Sequence, residues 1–105
     1  MHRKELKVLL AKMQRTTYLN AFNLLQLIDT KFDLIVDFNT VFFNQSNYTL
    51  EIAAIYSVLI EDDILYILTK KNHLHRINSS NKEHLIFDAN CMSFFNSIKE
   101  FFKIK

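Results

Sequence analysis

Two histidines separated by one residue, His73 and His75, are the most metal-like element of the chain. Residues two apart on a strand point to the same side, so both imidazoles could face one ion, with His84 and Cys91 as further ligands. No CxxC, HExxH or His-x3-5-His spacing accompanies them. We therefore assign no metal and no cofactor, and hold His73 and His75 as the candidates if a metal binds. The run Glu61-Asp62-Asp63 has the residue type for acid or base work, but three carboxylates at a chain reversal read as a solvated turn. Asp29, Asp33 and Asp37 keep a helical four-residue spacing, yet they straddle a helix-to-strand junction and need not share a face. Cys91 falls in an apolar stripe, where a buried and inert thiol is expected. No recognisable motif sets a base beside a nucleophile, so the chain reads as a protein that is not an enzyme.

Glycine and proline are both absent from the 105 residues. Glycine lets the backbone take positive φ or approach a ligand closely, so there can be no Walker phosphate loop, no GxGxxG turn and no GxSxG elbow. The turns must instead be built from Asn, Asp, Ser and Lys. Four such stretches punctuate the chain: Asn44 to Asn47, Glu61 to Asp63, Lys70 to Asn72 and Asn78 to Asn81.

A chain that is 50% hydrophobic and 23% charged, with fourteen Leu, eleven Ile and ten Phe, is expected to form one domain over residues 1–105. Leu6, Leu9, Leu10, Met13, Thr17, Leu24 and Ile28 recur at helical steps, and Thr16-Thr17 can bend or split that helix, leaving one long helix or two short ones. From Asp33 the period becomes two. Leu34, Val36, Phe38 and Phe42 then share one face of a first strand, and Tyr48 to Ile60 forms a second. Ile64 to Thr69 and His73 to Ile77 follow. Residues 80–87 read either as another short strand or as a helix opened by a Ser80–Glu83 capping box. Cys91, Phe94, Phe95, Ile98, Phe101 and Phe102 predict a final helix. Short polar links favour antiparallel pairing, so the expected fold is α+β: an N-terminal helix, an antiparallel meander of three to five strands, and a C-terminal helix.

The second face of these strands is also apolar, since Ile35, Val41, Phe43, Ile55, Leu59, Leu65 and Ile67 lie opposite the first. Two arrangements would bury it. Either a second copy or a partner protein covers it, with these seven residues as the interface, or the two helices sit on opposite faces. The leading expectation is a small non-enzymatic interaction protein, of inhibitor, immunity or accessory-subunit type, that dimerises through its sheet.

Charge is distributed unevenly: +4 over residues 1–15, −6 over 16–69 and +4 over 70–105, giving +2 in all. The acidic middle would suit a basic target. The alternative function is nucleic-acid binding through Lys4, Lys7, Lys70, Lys71 and Arg76, with Tyr48, Tyr56 and Tyr66 available to stack on bases. The order helix, strands, helix resembles the Alu-binding subunits of the signal recognition particle in layout alone. A lone cysteine and the absence of an uninterrupted apolar run near the N-terminus point to a cytoplasmic protein with no membrane partner.

Overall fold

The computed structural model describes residues 8–9, 11–13 and 18–88. Residues 8–9 and 11–12 are helical and Met13 is not; α1 (Tyr18–Leu27) and α2 (Asp29–Phe32) are the next described elements. The N-terminal stripe is thus divided, and its pieces pack in different places. Leu9 and Met13 lie against Tyr56, Tyr66, Leu68 and Leu74, whereas Ala21 and Leu25 join a separate cluster with Phe32, Val41 and Phe43. Ala21 and Leu25 are one helical turn apart, so a single stripe of α1 carries both into the core. Asp33 ends α2 in the left-handed conformation (φ 56°, ψ 52°), its N–H donating to the Asp29 carbonyl.

Seven strands follow: β1 (Leu34–Val36), β2 (Thr40–Phe43), β3 (Tyr48–Glu51), β4 (Ile55–Glu61), β5 (Ile64–Thr69), β6 (His73–Asn78) and β7 (Glu83–Asp88). They form two antiparallel sheets, β1-β2-β3 and β4-β5-β6-β7. The α+β class and the antiparallel pairing agree with the sequence reading; the single meander of three to five strands does not. The strand expected through Leu34 and Phe42 breaks at Asp37, whose carboxylate accepts the Phe38 N–H at 2.7 Å and whose own N–H donates to the Thr40 carbonyl at 2.8 Å. The strand expected from Tyr48 to Ile60 breaks at a turn of 3-10 helix, Ile52–Ala54. Of residues 80–87, the last five are strand and none is helix: Glu83 opens β7 opposite Asn78, and Ser80 to Lys82 form the turn before it. The helix expected over Cys91 to Phe102 lies outside the described residues.

The break at Asp37 exchanges the parity of the strands. Leu34 pairs with Phe43 and Val36 with Val41, so even positions of β1 share a face with odd positions of β2. That face is the buried one: Leu34, Val41, Phe43 and Leu50 pack on Ile55, Val58, Leu65, Ile67 and Ile77, joining the two sheets face to face with α1 and α2 alongside. Burying each such side chain contributes roughly 1.5–3 kcal/mol. The opposite face of the larger sheet is covered by Leu9 and Met13.

This layering corrects the expected interface. Val41, Phe43, Ile55, Leu65 and Ile67 are at most 4% exposed, and Leu59 packs beside the Leu9–Met13 cluster. Of the seven residues only Ile35 is open, at 56%. Both faces of the larger sheet are apolar because the chain itself covers both. Five turn or junction residues take positive φ, namely Asp33, Asn47, Asp62, Asn72 and Lys82, and three of them fall in the stretches predicted to turn without glycine. No helix among the described residues is long and apolar enough to cross a membrane.

Candidate functional site

The two-residue alternation of β6 puts His73, His75 and Ile77 on the face that meets the smaller sheet. In the β6–β7 register His84 lies opposite Ile77 and Ile86 opposite His75, so His84 is the diagonal neighbour of His75 on that face. The side chains meet: His75 Nδ1 is 2.9 Å from His84 Nε2. The other nitrogen of His84, Nδ1, is 2.6 Å from the Ser46 hydroxyl. Ser46 stands in the link between β2 and β3, so the contact also ties the smaller sheet to the edge of the larger one.

Local chemistry fixes each member. Asn44 docks the link onto Asp33 through its backbone N–H (3.2 Å to the Asp33 carbonyl) and its side-chain amide (3.1 Å to the carboxylate). The Ser46 N–H then closes on the Phe43 carbonyl at 3.3 Å, and Asn47 turns the chain back at φ 54°. Beside β7, Asn81 accepts the Glu83 N–H at 3.0 Å, which sets the strand start next to His84. Aromatic rings enclose the imidazoles. Phe43 stacks on His75 with 11° between planes at 6.1 Å, and Tyr48 meets His75 edge-on at 5.2 Å. The same two rings lie 4.8 and 5.7 Å from His84.

His75 is fully buried, His84 half-buried and Ser46 exposed. Burial, then the neighbouring His84 and His73, push the His75 pKa down to about 4, and burial lowers that of His84. Both rings are therefore neutral at pH 7. Two proton arrangements satisfy the pair of hydrogen bonds. In one, Ser46 donates to His84 Nδ1 and His84 Nε2–H donates to His75 Nδ1; in the other both bonds run in reverse. In either, His75 Nε2 is buried without a partner. The facing nitrogens of His75 and His84 are engaged with each other, and the described residues bring together no group of three His, Cys, Asp or Glu that could hold a metal. Cys91 lies outside them.

In the sequence Ser46 reads only as a turn residue. His84 reads there as a further metal ligand beside His73 and His75. The available signal was positional: His75 has the parity of Leu65 and Ile67 across the register, which marks it as a core histidine needing a polar partner.

The acidic run has another role. Asp62 and Asp63 make the two-residue link between β4 and β5, and the carboxylates of Glu61 and Asp63 are both engaged: Lys12 reaches Glu61 at 3.1 Å, Lys31 reaches Asp63 at 3.4 Å, and the Ser80 hydroxyl donates to Asp63 at 3.0 Å, while Lys31 also donates to the Asp62 backbone carbonyl at 2.9 Å. The Ser80 hydrogen bond and then Lys31 hold the Asp63 carboxyl below its usual range. A shallow cavity of about 410 Å³ lies beside this turn, lined by Glu61, Asp63, Tyr66, Asn78 and Ser80 among others. Asp29, Asp33 and Asp37 fall in α2, at its end and in the β1–β2 link, so no face unites them.

Of the residues considered for nucleic acid, Lys70 and Lys71 are exposed at the β5–β6 link and Arg76 is half-buried on β6; Lys4 and Lys7 lie outside the described residues. Tyr56 and Tyr66 are 3% and 7% exposed, packed on Leu9 and Met13, and so present no stacking platform. Compared with known proteins, the chain matches no family model, no curated protein and no solved structure.

Proposed function

We propose that the chain acts by binding a protein partner, as an inhibitor, immunity protein or accessory subunit does, through the apolar surface of α1 and the β1–β2 link. The supporting observation is Phe38, 68% exposed at that link, with its ring edge-on to Phe22 of α1 at 5.9 Å. Leu19, 63% exposed, lies one helical turn before Phe22, and Ile35, 56% exposed, is on the neighbouring β1. Large apolar side chains held in the open by a packed framework are the residues that anchor interfaces. A second copy of the chain is one partner this surface would suit; a dimer through the sheet core is not, because that core is internally filled.

The test begins with light scattering over a wide concentration range, followed by recovery of partners from the native host and titration with the purified partner. Replacing Phe38 with Asp is expected to weaken binding at least about tenfold, as loss of an interface anchor does. Unchanged affinity in that variant, for a copy or for another protein, would sink the assignment. Nucleic acid is the second reading, favoured by the exposed Lys70-Lys71 link. It requires retention at 50 mM salt and steep loss toward 200 mM.

A further inference from the structure

Ser46, His84 and His75 form a continuous chain of two short hydrogen bonds that runs from an exposed hydroxyl to a fully buried imidazole. We propose that Ser46 is an activated nucleophile that accepts acyl groups from activated esters, with His84 as its general base and His75 as the residue that positions His84. This site is separate from the Phe38 surface and stands or falls independently of partner binding.

A serine hydroxyl is a poor nucleophile until a base lies within hydrogen-bond reach and a third group orients that base. Both conditions are met. The Ser46 Oγ to His84 Nδ1 distance is 2.6 Å, and His84 Nε2 is held by His75 Nδ1 at 2.9 Å. His75 is itself immobilised, with Phe43 stacked on its ring and Tyr48 against its edge. The base is half-buried while Ser46 is an exposed residue of the β2–β3 link, so an acyl donor can approach it without dismantling the core. Ile86, two residues along β7 on the face that carries His84, is 45% exposed and offers an apolar surface to the acyl group. Where a carboxylate supports the histidine, it adds charge as well as orientation. Here the supporting group is a neutral imidazole, so His84 is aimed at Ser46 without being made a stronger base.

The reaction balances with no further reagent than the ester and water. Ser46 Oγ bonds to the carbonyl carbon as its proton passes to His84 Nδ1. The tetrahedral adduct collapses, the bond to the leaving oxygen breaks, and that oxygen departs with the proton from His84 Nδ1, leaving the acyl group on Ser46. Water then adds to the acyl carbon, giving its proton to the same nitrogen, and Ser46 Oγ leaves and recovers that proton. Nothing is oxidised or reduced. The step uses the arrangement in which Ser46 donates to His84 Nδ1, and throughout it the His84 Nε2–H remains directed at His75 Nδ1.

The test uses the full-length chain with p-nitrophenyl acetate and with a fluorophosphonate probe, read by release of nitrophenol, intact mass and peptide mapping. The expected adduct is on Ser46. Ser46→Ala, which removes the hydroxyl and its bond to His84, should abolish it, and His84→Asn, which retains a polar group but no base, should slow it about 100-fold. Circular dichroism verifies the fold of each variant. His75→Asn keeps an acceptor near the Nδ1 position and should retain most of the rate with an altered pH profile, whereas His75→Leu should fall to the His84→Asn level. Labelling of Ser46→Ala at the wild-type rate, or of His84→Asn as fast as wild type, overturns the assignment.

Discussion

Two polar ties bind distant segments to the four-stranded sheet, and they work by opposite means. At the β4–β5 link the groups are charged and exposed: Lys31 and Lys12 pair directly with Asp63 and Glu61 at the surface. At the β6–β7 face the groups are neutral and enclosed by Phe43 and Tyr48. An exposed pair is screened by salt and by water, so its removal is easily tolerated. Buried hydrogen bonds contribute only about 0.5–1.5 kcal/mol each, but leaving one partner unsatisfied costs more than that. Burial also keeps both imidazoles uncharged, which is the state in which His84 can accept a proton. The larger number of ionisable groups therefore marks the structural turn, and the smaller number marks the candidate reactive site.

The largest effect expected from disturbing this contrast comes from Phe43, which is 1% exposed and lies beneath both histidines. Phe43→Ala should lower the unfolding free energy by about 3–5 kcal/mol in urea titrations. Acid should have the next largest effect. The folded pKa of His75, about 4, lies below its ordinary value of 6.5, so the unfolded chain takes up the proton first. The stability from this group is complete above pH 6.5 and is lost as pH falls from there toward 4, by at most on the order of 3 kcal/mol. His75→Asn should remove its share of that slope, leaving the part that His84 contributes, because burial lowers the His84 pKa as well. The smallest effect belongs to the charged turn: Lys31→Ala should destabilise slightly at low salt and match wild type at high salt, read from thermal unfolding at both. A salt-insensitive loss there, or a flat pH profile in wild type, would reverse the ranking.

Much of the architecture was legible in local pattern. Without glycine, the turns had to fall on Asn and Asp, and Asn47, Asp62 and Asn72 do take positive φ in the predicted stretches. The alternation that marked β5 and β6 reflects pleat geometry and needed no tertiary information. The break at Asp37 was hidden because Phe38 and Val41 look like strand residues, while a single side-chain bond from Asp37 to the Phe38 N–H turns the chain. That one turn reverses the parity of β2 and moves Val41 and Phe43 from an expected interface into the core. The relay was illegible for a different reason. Ser46 and His84 are 38 residues apart, and only the stacking of one sheet on the other brings them together.

Nitrogen-15 NMR of the histidine side chains across a pH series tests the Ser46–His84–His75 chain most directly. The expected result is a His75 ring that stays neutral down to about pH 4, a His84 midpoint below 6.5, and a scalar coupling across the bond between His75 Nδ1 and His84 Nε2. Two histidines at these positions that titrate independently near 6.5, with no coupling between them, would contradict it.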